Sequence, residues 1–263
     1  MLLTDKNTVI YGAAGAVGQA ISHAFAREGA QVFLAGRDLG ALDALAKEIT
    51  AAGGTAETAV VDAHDEEAVE RHLDAVVEKA GSVDVSFNAT GISAQGLQGI
   101  PLTELSVDSF LLPITAYARS HFVTARAAAR RMVAQRSGVI MMHTPEPAKL
   151  GVPLLGGMGP AWAALESLNR ELSGETAQHG VRAVCLRTTG MEETATIDTV
   201  FGLHADAYGI TREQFAAAMA ANTHRKRATT LNELADVAAF VASDQASAMT
   251  GTVANLTGGT IVD

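Results

Sequence analysis

A glycine-rich stretch near the N-terminus has the composition of a phosphate-binding loop. Residues 12–18 read GAAGAVG and directly follow a short run of β-type residues, 8–11. Glycines allow a tight turn and a close approach of the backbone to a pyrophosphate, and the N–H groups at the start of a helix bind the anion. The context of strand, glycine turn and helix predicts a dinucleotide site. Its predicted contacts are Gly12, Ala14, Gly15, Ala16, Val17 and Gly18.

A basic residue follows the second β-type run. Residues 34–37 read LAGR, and no carboxylate stands where one would bind the 2′-hydroxyl of an adenosine ribose. The guanidinium of Arg37 suits a 2′-phosphate, since it donates paired hydrogen bonds. Arg37 therefore favours NADP(H) over NAD(H). The alternative is a solvated surface arginine at the start of a helix.

Strand-type and helical runs alternate along the chain. The predicted strands are 8–11, 31–35, 58–62, 83–88, 138–143, 181–187 and 252–256, and the predicted helices are 17–28, 39–52, 65–79, 107–134 and 161–179. Short connections between such elements predict a parallel sheet with helices on both faces. We therefore expect an α/β fold, a doubly wound sheet of Rossmann type with about seven strands, in a single domain over 1–263.

The alternation lapses at 188–232. We interpret this segment as a loop with a short helix at 212–222, inserted over the carboxyl edge of the sheet where it would cover a substrate. A purely structural flap is the alternative.

Composition narrows the class of protein. The 263 residues are 48% hydrophobic and carry a net charge of −10, so a nucleic acid or an anionic membrane is an unfavourable partner. No apolar run approaches the ~20 residues that span a bilayer, and the N-terminus is too short and polar for a signal peptide. We expect a cytoplasmic protein with a small-molecule substrate and no metal. Cys185, the only cysteine, lies in an apolar run and is expected to be buried and inert.

Several separated motifs resemble those of the short-chain dehydrogenase/reductase family. They are YGAAGAVG, with Tyr11 in place of threonine, Asp62 after the third strand, NATG at 88–91 after the fourth, and a C-terminal pattern from Thr250-Gly251 to Gly258-Gly259. The resemblance implies the strand order 3-2-1-4-5-6-7, a nicotinamide dinucleotide and a homo-oligomer, a tetramer or dimer. It adds predicted cofactor contacts at Asp62, Ala63, Asn88, Ala89, Thr90 and Gly91.

The family's catalytic residues are missing from the positions that the resemblance gives them. The family uses Asn, Ser, Tyr and Lys, with the Tyr and Lys four residues apart on one helix. Aligning GMGPAWAAL, 157–165, on that helix puts Met158 at the Tyr and Trp162 at the Lys. Pro145 falls at the Ser, with Thr144 beside it, and Tyr117 falls at the Asn.

A second alignment also lacks the pair. Residues 158–166, MGPAWAALE, resemble the enoyl-reductase branch of the family, which places its Tyr seven residues before the Lys, here at Leu155. The chain has three tyrosines, Tyr11, Tyr117 and Tyr208, and none is followed four residues later by a lysine. The loss therefore does not depend on the alignment.

Other groups could supply a proton. Tyr117 is the first candidate, and the alternative is that it is a structural tyrosine whose side chain packs against the sheet. Thr144 could replace the serine that holds the substrate oxygen. His143 is interpreted first as structural, and Glu146 and Lys149 as solvated loop charges.

Three functions stay open. In the first, the protein is an NADP(H)-dependent reductase with a non-standard active site that reduces a small apolar carbonyl, enone or imine. Alternatively it binds the cofactor without redox chemistry, as a sensor or partner subunit, or it catalyses a non-redox step in the same pocket.

Overall fold

The computed structural model describes residues 1–262. Its strands are β1 (Asn7–Tyr11), β2 (Gln31–Gly36), β3 (Thr55–Val60), β4 (Val85–Asn88), β5 (Gly138–Pro145), β6 (Val181–Thr188) and β7 (Thr252–Leu256). Its α-helices are α1 (Ala16–Arg27), α2 (Leu39–Ala51), α3 (Glu66–Ala80), α4 (Val107–Gln135), α5 (Met158–Thr176), α6 (Ala195–Tyr208), α7 (Arg212–Asn222) and α8 (Leu231–Ala242).

The strands form one parallel sheet in the order β3-β2-β1-β4-β5-β6-β7. This confirms the predicted Rossmann-type fold and its strand order. Successive side chains of a strand point to opposite faces, so the sheet carries two apolar layers. Met141 and Leu186 pack on the face that α1 and α8 cover, whereas Met142 and Cys185 lie in the layer that contains Trp162 of α5.

The predicted third strand, 58–62, was displaced toward the C-terminus. The observed β3 pairs with β2 from Gln31 opposite Thr55 to Gly36 opposite Val60, and Asp62 follows the strand. This strand lies at the edge of the sheet and no residue of it is fully buried, so its sequence lacks the apolar run that marks a central strand.

The segment 188–232 is more helical than predicted. Thr188 ends β6, and the part that was interpreted as a loop contains α6. The Thr194 hydroxyl accepts from the backbone N–H of Ile197 and caps this helix, and Phe201 meets Phe215 of α7 edge to face, with ring centroids 5.2 Å apart. Packing between two weakly amphipathic helices stabilises them here, and the spacing of apolar residues does not signal it.

The chain that leads to the C-terminus contains a helix that was not predicted, α8. Thr230 and Glu233 form a reciprocal capping box at its start, a sequence signal that was available. Within residues 1–262, no helix is long and apolar enough to cross a membrane.

Candidate functional site

The glycine loop between β1 and α1 is shaped by close backbone approaches. A Cβ at Gly18 would lie 2.3 Å from the carbonyl oxygen of Gly12, so the helix can pack on the loop only with glycine there. Gly12 has φ +69, and a Cβ on it would lie 2.9 Å from the backbone of Ala89 and Thr90. The glycines therefore bring the loop after β1 against the loop after β4.

The start of α1 lies open beside this loop. Gly15 is its N-cap and supplies no side-chain hydrogen bond, and the first turn holds no acidic residue. Gly15 and Ala16 are exposed, Ala14 and Val17 half-buried. The N–H groups of a first helical turn have no partner within the helix, so this end offers an anion both donors and the positive end of the helix dipole.

The loop after β4 is held by the side chain of Asn88, which is buried. Its Nδ2 donates to Thr124 Oγ1 at 2.9 Å and to the carbonyl oxygen of Ser120 at 3.2 Å. Its Oδ1 accepts from the N–H and the hydroxyl of Thr90, at 2.8 and 2.6 Å. Asn88 therefore fixes the path of the backbone, and Ala89, Thr90 and Gly91 are the parts of this loop left to meet a ligand.

A basic and an acidic side chain follow the two strands on the far side of β1, Arg37 after β2 and Asp62 after β3. Asp62 accepts from the backbone N–H of His64 at 3.0 Å, and this bond is the main cause that lowers the pKa of Asp62. Arg37 lies near enough to lower that pKa further. Its side chain is exposed and forms no hydrogen bond or ion pair with the residues that the structure describes. Asp38 instead caps α2, accepting from Ala41 N at 3.1 Å. Ala63, predicted beside Asp62, is buried.

Helix α5 begins at Met158, so this residue lies on the helix. Pro160 stands in the first turn, where its missing N–H costs no helical hydrogen bond. The preceding residue, Gly157, touches α4: a Cβ there would lie 1.9 Å from the carbonyl oxygen of Phe110. Glycine at 157 thus lets the start of α5 approach α4, the helix that carries Tyr117.

Tyr117 and Trp162 meet in the space between these two helices. Their ring centroids are 6.1 Å apart and the ring planes are at 70°, an edge-to-face contact. The Tyr117 hydroxyl oxygen would lie 3.6 Å from a Cβ on Gly91, which places it against the loop after β4. Burial raises the pKa of Tyr117, and the neighbouring polar groups of the Trp162 side chain and the Ile92 backbone partly offset this rise.

Met158 and Trp162 are buried, with 1% and 8% of their surfaces exposed, and they share one apolar cluster with Leu155 and Leu97. Pro145 is half-buried at the end of β5. The positions where the resemblance expects Tyr, Lys and Ser therefore form an apolar wall.

The placement of Thr144 argues against its suggested role. Its side chain is fully buried, and the hydroxyl donates to Glu166 Oε1 at 3.0 Å. Arg187 donates to the same carboxylate from Nε at 2.8 Å and from Nη2 at 2.6 Å. Thr144 belongs to this buried ion pair behind α5, and its hydroxyl is not available to a substrate oxygen.

Two further titratable side chains, those of His143 and Cys185, have pKa values that burial shifts. His143 Nε2 lies 2.9 Å from Thr188 Oγ1, and burial lowers its pKa to about 4, so it is a neutral structural histidine at pH 7. Cys185 is buried, as expected, and this burial raises the pKa of its thiol to about 12.

Glu146 is not the solvated charge that was expected. Its Oε2 is buried without a hydrogen-bond partner among the described residues, and burial raises its pKa, a rise that the nearby Thr260 side chain partly offsets. Lys149 is exposed. Within the described residues, no group of three or more His, Cys, Asp or Glu side chains is arranged to hold a metal ion.

Comparisons with known proteins give the family. A family model described as enoyl-(acyl carrier protein) reductase matches residues 12–260. The L-rhamnose 1-dehydrogenase (NAD(P)(+)) of Azotobacter vinelandii is 29% identical over 268 residues, which cover 100% of this chain and 99% of the relative. An uncharacterised oxidoreductase of Bacillus subtilis is 29% identical over 249 residues, covering 95% of this chain and 88% of the relative.

A solved structure agrees with these relatives. The crystal structure of NAD⁺-bound xylitol dehydrogenase matches with a TM-score of 0.91 at 25% identity, covering 98% of this chain and 100% of that one. The chain therefore belongs to the short-chain dehydrogenase/reductase family of oxidoreductases. Nicotinamide dinucleotides appear in two of these names, NAD(P)⁺ for the rhamnose dehydrogenase and bound NAD⁺ for the xylitol dehydrogenase.

Two features of the site were missed by sequence reasoning. The Glu166–Arg187 pair could have been suspected, because an arginine inside the apolar run 183–187 needs a buried partner. The position of the Ile92 backbone near the Tyr117 hydroxyl carries no sequence signal, since it depends on the path of the loop after β4.

Proposed function

We propose that the protein is an NADP(H)-dependent oxidoreductase that reduces a small apolar carbonyl, enone or imine compound, with Tyr117 as the proton donor. The carrying observation is the position of the Tyr117 hydroxyl, 3.6 Å from where a Cβ on Gly91 would lie, at the loop after β4 and beside the Met158 and Trp162 wall. This proton donor would replace the tyrosine that the family carries on the helix after β5.

The residues at the carboxyl edge of the sheet suit both the pyrophosphate and the adenosine end of the cofactor. The open start of α1 and the crowded glycines of residues 12–18 suit a pyrophosphate. Arg37, exposed and without an ion pair among the described residues, suits a 2′-phosphate, whereas Asp38 is engaged as a helix cap. Asp62 has its pKa lowered and would accept from the adenine as an ionised carboxylate. When bound, the reduced nicotinamide supplies a hydride.

Tyr117 supplies the other half of the reduction, a proton. Its raised pKa keeps the phenol protonated at neutral pH, so it can donate to the oxygen on which negative charge develops. A positioned general acid contributes roughly 10²–10⁴-fold to the rate.

The apolar wall favours a substrate whose reduction depends little on a strong acid. Met158 and Trp162 offer no charge where the family has its Tyr/Lys pair. A conjugated alkene spreads the developing charge and an iminium ion already carries a compensating charge, so both depend less on a strong acid than a simple ketone does.

The segment 188–232 is proposed to cover this substrate. His204 of α6 is buried, and its Nε2 lies 3.2 Å from Gln98 Oε1, in the connection between β4 and α4. Because this contact joins the inserted helix to the loop region beside Tyr117, α6 lies on the same side of the sheet as the proposed pocket. We also propose a homo-oligomer, since α4 exposes Leu111, Leu112 and Phe122, each by 46–53%.

A substrate panel tests the proposal. NADPH consumption is followed with ketones, enones and cyclic imines, using the wild-type protein and Tyr117→Phe. We expect turnover of at least one enone or imine by the wild type and its near loss in Tyr117→Phe. NADPH binding with no turnover of any class would instead favour a cofactor-binding protein without redox activity.

A further inference from the structure

The side chain of Asp62 uses one of its two carboxylate oxygens for contacts inside the protein. Oδ1 accepts from the backbone N–H of His64 at 3.0 Å and lies 3.0 Å from the ring nitrogen Nδ1 of the same residue. An ionised carboxylate only accepts hydrogen bonds, so Nδ1 carries a hydrogen and donates it. The lowered pKa of Asp62 keeps its carboxylate ionised at neutral pH.

The second oxygen, Oδ2, forms no hydrogen bond or ion pair with the part of the chain that the structure describes. The Asp62 side chain is 45% exposed, and with His64 and Arg119 it lines a surface cleft of about 860 Å³. Rotation of the carboxylate would break the bonds that Oδ1 accepts from His64. Oδ2 is therefore the oxygen that this side chain presents to a ligand.

The turn that carries His64 is held by contacts that do not involve the imidazole. Arg119 of α4 donates from Nε to the carbonyl oxygen of His64 at 2.9 Å. Ala63 is buried in the apolar layer beneath the turn, and the N–H of Asp65 donates to the carbonyl oxygen of Asp62 at 3.0 Å. The imidazole can therefore be replaced while the backbone of the turn stays in place.

We propose that His64 is a positioning residue for the adenine end of the cofactor, whose Nδ1–H holds the Asp62 carboxylate so that Oδ2 accepts from the exocyclic amine of adenine. Asp62 touches the base, and His64 acts through Asp62. The inference rests on the proposed binding of a nicotinamide adenine dinucleotide, but it depends neither on Tyr117 nor on the choice between NADPH and NADH.

A cofactor whose base lacks the amine gives the most specific probe. Hypoxanthine carries a carbonyl oxygen where adenine carries its amine, so it would place an acceptor against Oδ2 and lose the hydrogen bond. The probe is reduced nicotinamide hypoxanthine dinucleotide phosphate. We expect the wild type to bind NADPH about 10- to 100-fold more tightly than this analogue, the range for a hydrogen bond to a charged group.

Variants of His64 test the positioning role by calorimetric titration of both dinucleotides. His64→Leu removes Nδ1–H and keeps the backbone N–H, and we expect the preference for NADPH over the analogue to fall by about 3- to 10-fold. His64→Asn offers an amide N–H close to the position of Nδ1 and should restore the preference. His179→Leu, before β6 at the amino edge of the sheet, is the control and should change neither affinity.

The preference separates a positioning role from a structural one. A histidine that only stabilised the turn would weaken both dinucleotides equally on removal. An unchanged preference in His64→Leu would therefore overturn the inference, even if both affinities fell.

The hydrogen bond can also be tested without a cofactor. NMR of isotope-labelled histidine, at a pH where the ring is neutral, should show His64 as the Nδ1–H tautomer, with its signal assigned from its loss in His64→Asn. Asp62→Ala removes the acceptor and should shift the ring toward the Nε2–H tautomer. The Nε2–H tautomer in the wild type would overturn the inference.

Failure of this inference can be told from failure of the proposed function. If the wild type binds neither dinucleotide, the cofactor site fails and the role of His64 fails with it. If the wild type binds both equally, the cofactor site stands, and recognition of the adenine amine by Asp62 and His64 fails.

Discussion

Tyr117 and Trp162 lie on different helices, α4 and α5, and their rings meet edge to face with centroids 6.1 Å apart. Both occupy positions where the family resemblance expects other residues, Asn and Lys. The proposed proton donor therefore lies on α4, beside an apolar wall at the start of α5.

Removal of the Tyr117 hydroxyl should abolish most of the catalysis. We expect Tyr117→Phe to lower kcat by roughly 10²–10⁴-fold, because the general acid is lost while the ring and its packing are kept. Steady-state kinetics with an enone or imine substrate measures this. Tyr11→Phe is the control and should keep full activity, and an unchanged kcat in Tyr117→Phe would remove Tyr117 from the mechanism.

Arg37 should select between the two cofactors. We expect Arg37→Ala to weaken NADPH binding by about 10- to 100-fold, since hydrogen bonds to a charged group contribute about 1.5–3 kcal/mol. NADH binding should hardly change. Calorimetric titration of both cofactors measures the difference, with Arg27→Ala on the remote end of α1 as the control. Equal losses for the two cofactors would refute the 2′-phosphate contact.

Gly18 should tolerate no side chain. A Cβ there would lie 2.3 Å from the carbonyl oxygen of Gly12, so Gly18→Ala must displace the glycine loop and weaken cofactor binding and stability together. Gly174 is the matched control, since a Cβ on this exposed helical glycine meets nothing within 4 Å. Gly174→Ala should raise the free energy of unfolding by about 0.5–1 kcal/mol. Normal NADPH binding by Gly18→Ala would contradict the account of the loop.

Removal of one partner of the Glu166–Arg187 pair should lower the stability strongly, whereas replacement of both by apolar residues should lower it little. Arg187→Met leaves a buried carboxylate without its main partner, and we expect it to lose about 3–5 kcal/mol of stability. The double variant Glu166→Leu, Arg187→Met should recover most of that loss, because both charges leave the interior. Urea unfolding measures the wild type, both single variants (Arg187→Met and Glu166→Leu) and the double variant. Additive losses would show that the two side chains do not act as a pair.

Because His121 is buried, we expect the protein to lose stability in mild acid. Burial lowers its pKa from 6.5 to about 4, so between these values the unfolded chain binds a proton that the folded chain does not. Stability therefore falls as the pH is lowered from about 6.5 to about 4 and this contribution levels off below. His121→Asn should lessen the slope of the unfolding free energy against pH across that window, while the buried His72 and His143 keep part of it. An identical slope in the variant would contradict the assignment.

The sequence predicted the fold well because its signals are local and repeated. Most strands and the glycine turn after β1 are marked by neighbouring residues, although the edge strand β3 is not, and the family resemblance implied the strand order. The site was less predictable: Tyr117 could be placed by alignment, but its contact with Trp162 depends on Gly157 approaching Phe110 across two helices. The fate of Thr144 likewise depended on Glu166, 22 residues later, reaching its hydroxyl.

The most direct test of the central claim is a titration of the wild-type protein with NADPH and NADH, using the fluorescence of Trp162. Because this single tryptophan lies beside the proposed nicotinamide pocket, we expect saturable quenching by NADPH at micromolar concentrations and by NADH only at much higher ones. Failure of both cofactors to bind at millimolar concentrations would contradict an NADP(H)-dependent oxidoreductase.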